Sequence, residues 1–238
     1  MSEHLAQREY WERAGQDGYL GTYFVCDEVR KIMSRLWNTA VEIGMGIGIP
    51  KNGRVLDLGC GDGTFSNTVL SQNFGSVLGV DFSRTGIERA RNNVAGKSVS
   101  FEVVDLVSDS VERLGDFDGV FLIGILHHVK PHAEKVLRAV REITPRIVVM
   151  EPNGAHLARK ILEMTPSYKA AGEDSFRHVQ LDELFRKTGF TPRIHERQNI
   201  FPNFTPGWAM KLFEPFQPLI ESTPVLRGLC TNNLYGCN

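Results

Sequence analysis

The stretch RVLDLGCGDGT, residues 54–64, decides how this chain folds. Its apolar part, 55–58, is typical of the end of a buried strand, and its glycines leave no room for another regular strand residue. Residues 64–70 then follow a helical pattern with Val69 and Leu70 on the inner face. A strand, a glycine turn and a helix in this order predict a nucleotide-type site, because the turn admits a ligand to the backbone and the helix start offers unpaired N–H groups.

Asp57 separates two classes of ligand for this site. The dinucleotide spacing G-x-G-x-x-G, counted from Gly59 and Gly61, requires a third glycine where this chain has Thr64. A carboxylate at Asp57 would also repel a pyrophosphate, whereas it suits a ligand that carries an ammonium or sulfonium charge. S-adenosylmethionine has both charges, together with a ribose and an adenine.

The segment VLDLGCGDG at 55–63 resembles the first motif of the class I S-adenosylmethionine-dependent methyltransferases. The resemblance covers residues 53–151 firmly and the flanks loosely. It implies S-adenosylmethionine as the cofactor and a doubly wound, mostly parallel, seven-stranded Rossmann-like sheet. The residues themselves favour a single α/β domain, since predicted strands and helices alternate along the chain.

The predicted strands that follow the motif end on evenly spaced acids. Strands at 77–81 and 99–105 place Asp57, Asp81 and Asp105 at intervals of 24 residues, the length of one strand and helix. The carboxyl ends of parallel strands meet at one edge of a sheet, where doubly wound folds bind ligands. Further strands are predicted at 117–124, 146–151 and 192–198, with a weak seventh candidate at 231–238, and helices are predicted from Ser83, from near Pro131 and over 182–187.

Segments outside these units are predicted to cover the site. Residues 1–50 form an N-terminal helical cap whose main helix covers 23–43, and the methyltransferase domain covers 51–238. Within that domain, about 152–180 builds a roof over the acceptor, and the aromatic, proline-rich segment at about 200–229 acts as a lid or a packing surface. The aromatic residues ahead of the main helix are expected to fold over the cofactor and exclude water; they are Tyr10, Trp11 and Tyr19.

The resemblance assigns a role to each predicted cofactor contact. Asp57 and the turn at 59–61 look like contacts to the methionine part, and Asp81 resembles the acid that binds both ribose hydroxyls. Phe82 is placed to cover the adenine, Asp105 to accept from its amino group beside the backbone N–H of Leu106, and Gly124 to lie where the transferable methyl points. The contacts implied are Asp57, Gly59, Cys60, Gly61, Asp81, Phe82, Asp105, Leu106 and Gly124.

Simpler roles stay open for several of these residues. Asp81 and Asp105 could instead cap the helices that follow them, and Phe82 could belong to the core. Cys60 is expected to be a small filler between glycines, since no histidine is fixed beside it by the sequence.

Two adjacent histidines are the candidates for a general base. His127 and His128 directly follow the fourth strand, near the expected methyl, and a hydroxyl acceptor benefits from a base with a pKa near 7. His128 is preferred, Glu151 competes for the role, and it is also open that neither histidine acts as a base. A metal site is not expected, although His128 and His132 have helical spacing. The acceptor roof offers His156, Tyr168, Arg177 and His178.

The composition of the chain argues against some classes of binding partner. The formal net charge is −1 and basic residues form no run, so nucleic acid is not expected as a partner. No apolar run approaches the roughly 18 residues that span a membrane, so stable membrane insertion is not expected. Four scattered cysteines and the absence of a signal peptide predict free thiols and a cytoplasmic location.

These observations predict methylation of a small molecule, more on oxygen than on nitrogen or carbon. The acceptor is expected to have an apolar or aromatic body, as in natural products. An N-methyltransferase and a non-catalytic, cofactor-binding partner subunit are the alternatives, and a nicotinamide dehydrogenase is disfavoured by Asp57. The oligomeric state stays open, with a homodimer among the options.

Overall fold

The computed structural model describes residues 9–13, 27–94, 96, 98–170, 174–202 and 205–238. Its centre is a seven-stranded sheet with the strand order β3-β2-β1-β4-β5-β7-β6, in which β7 runs antiparallel to both of its neighbours and the other pairs are parallel. The strands are β1 (Arg54–Leu58), β2 (Ser76–Asp81), β3 (Val99–Val103), β4 (Gly119–Ile123), β5 (Ile147–Pro152), β6 (Pro192–Gln198) and β7 (Asn232–Cys237).

Helices flank this sheet on both faces, which confirms the predicted doubly wound α/β fold. The second helix, α2, is π-helical over Ser66–Leu70 and α-helical over Ser71–Asn73. The other helices are α1 (Asp27–Gly46), α3 (Arg84–Asn92), α4 (Ala133–Ile143), α5 (Leu157–Glu163), α6 (Pro166–Ala170), α7 (His178–Lys187), α8 (Gly207–Phe213) and α9 (Gln217–Ser222).

Each face of the sheet has its own apolar core, because successive side chains of a strand point to opposite faces. Val55 of β1 packs among residues of α1, α2 and α3, whereas its neighbour Leu56 packs among residues of α4 and α7. The central strands β1, β4 and β5 are buried on both faces over most of their length and therefore form the interior of the molecule.

Helix α1 packs directly on the sheet. Its residues Leu36 and Ala40 are fully buried in the same cluster as Phe121 of β4 and Val148 of β5. A side chain at Gly44 would lie 3.1 Å from the Phe121 ring, so the helix approaches the strand closely there. The second half of the predicted cap thus belongs to the core of the sheet, while the domain boundary near residue 50 stays a prediction. The predicted start of this helix at 23 lies outside the residues that the structure describes.

The strand registers bring several segments to one edge of the sheet. Pro152 of β5 and Gln198 of β6 both pair with Asn232 of β7, so residues that follow β5 and β6 and residues that precede β7 meet at the carboxyl edge of the parallel strands. This places the predicted roof and lid segments at the edge that carries Asp57 and Asp81. The third strand ends at Val103, two residues earlier than predicted, and Asp105 therefore lies in the turn that follows.

The proline-rich segment 205–229 consists of short helices that α1 holds in place. Arg35 of α1 makes two hydrogen bonds of 2.7 and 2.8 Å to Glu221, and Lys211 lies 3.0 Å from Glu28. Many of its apolar side chains face outward, among them Trp208 at 71% exposure and Val225 at 86%. The assignment of this segment as a lid stays a prediction.

Candidate functional site

The glycine turn after β1 is bound to the end of β2. The N–H groups of Gly59 and Cys60 donate to the carbonyl of Val80 at 2.8 and 3.0 Å, and the N–H of Gly61 donates to the Asp81 carboxylate at 2.9 Å. Gly59 has a φ of +81°, and a Cβ there would lie 2.7 Å from the side chain of Ile125. Glycine is required at 59 by this positive φ, which the glycine turn predicts, and by packing against Ile125, which the sequence does not reveal.

Asp57 is buried beneath this turn. Its exposed fraction is 2%, and its Oδ2 accepts a hydrogen bond of 2.5 Å from the hydroxyl of Ser66 in the π-helical part of α2. Burial raises the pKa of Asp57 to about 7, the Ser66 hydroxyl opposes this rise, and the charge of Asp81 adds to it. Sequence reasoning missed Ser66, because the helical pattern gives no sign of the π-turn that aims it at Asp57.

Asp81 closes β2 and is held by two backbone donors. Its Oδ1 accepts from the N–H of Ser83 and its Oδ2 from the N–H of Gly61, both at 2.9 Å. Burial raises the pKa of Asp81 to about 6; these donors oppose the rise, and the charge of Glu12 adds to it. The helix cap that follows is made by Ser83, as predicted, whose hydroxyl accepts from the N–H of Gly86 at 3.0 Å.

Phe82 and Asp105 meet at one cleft. The cleft has a volume of about 550 Å³ and is lined by both residues together with side chains from α3, β3 and the loop after it. Asp105 Oδ1 also accepts from the N–H of Val107 at 3.0 Å, so this carboxylate does cap its own turn. The juxtaposition of an aromatic ring and a carboxylate suits an adenine, and the assignment stays a prediction.

The remaining residues of the predicted cofactor set are Leu106, Gly124 and Cys60. Leu106 is buried in the core, and Gly124 directly follows β4 with a φ of +67°. A Cβ at Gly124 would lie 3.9 Å from the nearest atom, His127 Cε1, so space is open there. Burial, with the charges of Asp57 and Asp81, raises the pKa of the Cys60 thiol well above its usual range. A neutral thiol at Cys60 fits the filler role.

Glu151 and His127 form a buried pair at the ends of β5 and β4. Glu151 is fully buried and His127 is 4% exposed, and His127 Nδ1 lies 2.7 Å from Glu151 Oε2. The backbone N–H of Leu126 also donates to Glu151 at 2.7 Å, and that of His127 at 3.3 Å. With this carboxylate accepting at Nδ1, a neutral His127 presents Nε2 as its basic nitrogen. Glu151 therefore fixes the orientation of the His127 ring.

His128 lies beside this pair under an aromatic cover. The centroids of the His127 and His128 rings are 4.0 Å apart, and the Trp11 ring packs edge-on to His128 at 4.7 Å. Trp11 is 8% exposed and packs in turn against Tyr10. Of the three aromatic residues expected above the cofactor, Trp11 thus reaches a histidine and Tyr10 packs on Trp11, while Tyr19 lies outside the described part of the chain.

The predicted roof residues do not converge on one point. His156 precedes α5, where burial lowers its pKa, and Tyr168 packs under Arg159. His178 stacks on His195 of β6 with ring centroids 6.2 Å apart, and Arg177 occupies the N-cap position of α7. Their role in acceptor binding stays a prediction.

Two further properties concern the described residues as a whole. No three His, Cys, Asp or Glu side chains among them form a cluster that could hold a metal ion. None of the helices in the described ranges is both long enough and apolar enough to cross a membrane.

Comparison with known proteins finds methyltransferases. Residues 55–145 match a family model described as a methyltransferase domain. Ubiquinone biosynthesis O-methyltransferase of Thiobacillus denitrificans is 32% identical over 94 residues, which are 39% of this chain and 40% of that protein. 27-O-demethylrifamycin SV methyltransferase of Amycolatopsis mediterranei is 27% identical over 184 residues, which are 71% of this chain and 64% of that protein. This chain therefore spans 40% and 64% of the length of these two relatives.

The fold is shared with solved structures. The crystal structure of magnesium protoporphyrin IX methyltransferase from Synechocystis PCC 6803 superposes with a TM-score of 0.66 at 16% identity, covering 100% of this chain and 97% of that one. At this identity the likeness shows a common architecture.

Proposed function

We propose that this chain, which belongs to the class I, Rossmann-like family of S-adenosylmethionine-dependent methyltransferases, methylates a hydroxyl oxygen of a small, partly apolar molecule with S-adenosylmethionine as the donor. The observation that carries the proposal is the edge of the sheet at which Asp57, Asp81 and the oriented His127 come together. The family model and the two relatives support methyl transfer, and the names of both relatives place their methyl groups on oxygen.

The residues at this edge fit the cofactor. The buried carboxylates of Asp57 and Asp81 are compensated by hydroxyl and backbone N–H donors, and a ligand with positive charge and hydroxyl groups would relieve the cost of their burial. The open space beside Gly124 leaves room for a reacting group close to His127. S-adenosylmethionine supplies an activated methyl group on a cationic sulfur. The protein's task is to hold donor and acceptor in line at contact distance.

His127 is the better placed of the two histidines to take the acceptor proton. Its Nδ1 is fixed by Glu151, its Cε1 faces the open space at Gly124, and neutral imidazole accepts a proton at Nε2. His128 packs edge-on against the Trp11 ring instead. We therefore assign the base to His127 and a positioning role to Glu151, in place of the preference for His128 that the sequence suggested.

Binding is the first test of this function. Calorimetric titration with S-adenosylmethionine, S-adenosylhomocysteine and NAD in parallel should give micromolar affinity for the first two and none for NAD. Binding of NAD alone would contradict the proposal. Methyl release in a screen of hydroxyl and amine acceptors then identifies the atom that is methylated, and turnover of amines alone would contradict oxygen as the acceptor.

Variants of the pair test the base. His127→Asn and Glu151→Gln should each lower kcat by about tenfold to a hundredfold, because the base is lost or is no longer held in one tautomer. His128→Asn is the matched control and should retain most of the turnover. If His128→Asn loses kcat while His127→Asn keeps it, the base is His128.

A further inference from the structure

The short helical stretch 9–13 lies against the proposed site. Trp11 is 8% exposed, and its ring meets the ring of His128 at a centroid distance of 4.7 Å. The stretch therefore carries one side chain into the neighbourhood of the histidines.

Glu12 brings a second carboxylate toward Asp81. Its charge is among the causes that raise the pKa of Asp81, so the two groups lie within electrostatic reach of each other. Its Oε2 is buried from solvent and has no hydrogen-bond partner among the residues that the structure describes. A buried carboxylate oxygen without a donor is costly, and beside a like charge it is more so. A bound ligand can supply the donor that the described residues do not.

Asp81 divides its acceptor sites between the backbone and such a ligand. Each of its oxygens accepts one backbone N–H, from Ser83 and from Gly61, and keeps a further acceptor site. A vicinal diol brings two donors to this point, and Glu12 Oε2 offers another acceptor beside those of Asp81. A ligand hydroxyl that lies between the carboxylates of Glu12 and Asp81 would also reduce the repulsion between their charges.

We propose that Glu12 is a cofactor-binding residue that accepts a hydrogen bond from a ribose hydroxyl of S-adenosylmethionine. The inference rests on the function proposed above, and it adds a residue outside the 55–145 methyltransferase segment to the binding site. The same bond fixes the stretch 9–13 over the nucleoside, and with it the Trp11 ring on His128. Cofactor binding thereby fixes the Trp11 ring over His128 before the acceptor reacts.

The test measures binding of S-adenosylhomocysteine, which needs no turnover. Calorimetry on Glu12→Ala should show affinity weaker by about tenfold or more, since a hydrogen bond to a charged acceptor is lost. Glu9→Ala is the matched control: it removes an exposed carboxylate from the same stretch, paired only loosely with Arg13 at 4.0 Å, and should bind within about twofold of the wild type.

Deoxy ligands identify the group that Glu12 contacts. The wild type should lose affinity for either the 2′-deoxy or the 3′-deoxy analogue of S-adenosylhomocysteine, and Glu12→Ala should show a clearly smaller loss for that same analogue. The inference is overturned if Glu12→Ala binds S-adenosylhomocysteine as tightly as the wild type, or if the deoxy penalty is unchanged in the variant. If the wild type itself does not bind the ligand, the proposed function fails with it.

Discussion

Asp57 and Asp81 are carboxylates that the fold holds at a cost. Both are buried, and burial is the largest cause of the rise in the pKa of each. Such groups destabilise the empty protein at neutral pH, because the folded state favours their protonated form. The proposed function explains their presence, since the cofactor would need them ionised, and such a trade between stability and activity is usual.

Asp57→Asn should make the empty protein more stable at alkaline pH. Folding raises the pKa of Asp57 from 3.8 to about 7, so the wild type loses stability as pH rises through this window. At about pH 8 the variant should gain on the order of 1 to 3 kcal/mol in unfolding free energy, and the gain should vanish near pH 4. Urea unfolding at both pH values measures it. A gain that does not change with pH would show that the Asp57 carboxyl titrates normally.

Cofactor affinity should fall on acidification. With pKa values of about 7 for Asp57 and about 6 for Asp81, protonation removes the ionised form of both acids before the ligand's own groups titrate. Between about pH 8 and pH 5 the dissociation constant of S-adenosylhomocysteine should rise at least about tenfold. Asp57→Asn should flatten part of this profile. A flat profile in the wild type would contradict the role of these carboxylates.

At the scale of elements, the order of strands and helices could be predicted and the shape of the turns could not. Apolar runs and the capping residue Ser83 identified the strands and α3 in advance. The sequence predicts that the third strand extends to Asp105, because an acid can end a strand. The strand instead ends at Val103, and the Asp105 side chain caps the turn that follows. The π-turn of α2 has no signature in the apolar pattern, so the contact between Ser66 and Asp57 was unforeseen.

The glycine turn should not tolerate a side chain at its first position. Gly59→Ala places a Cβ 2.7 Å from Ile125 at a φ of +81°, and both the clash and the left-handed backbone are unfavourable. We expect a loss of about 2 kcal/mol or more in unfolding free energy. Gly228→Ala is the control, since a Cβ there meets nothing within 4 Å. Similar thermal stability of the two variants would contradict the packing role of Gly59.

At the scale of the molecule, the attachment of the segment 205–229 could not be predicted from the sequence. Prolines and aromatic residues marked 200–229 as a unit, but its anchor is a pair far apart in sequence, Arg35 and Glu221. Glu221 also accepts from the N–H of Asn199 at 2.7 Å. Contacts between residues so far apart in sequence depend on the fold of the whole chain. The sequence pattern of one segment therefore does not predict them.

Glu221→Gln should loosen this segment and leave the sheet intact. The variant loses the charge that faces Arg35, and amide exchange over 205–229 should become about tenfold faster. Exchange in β1 and β4 should stay as it is in the wild type. Glu214→Gln, at an exposed position of the same segment, is the control. Equal exchange in both variants would show that the pair with Arg35 does not anchor the segment.

The position of β7 in the sheet has a consequence for biosynthesis. Of the seven strands it is synthesised last, yet it lies inside the sheet between β5 and β6. Until residues 232–237 have left the ribosome, β5 presents an open edge and β6 has no neighbour to pair with. The antiparallel part of the sheet can therefore form only after the seventh strand has emerged.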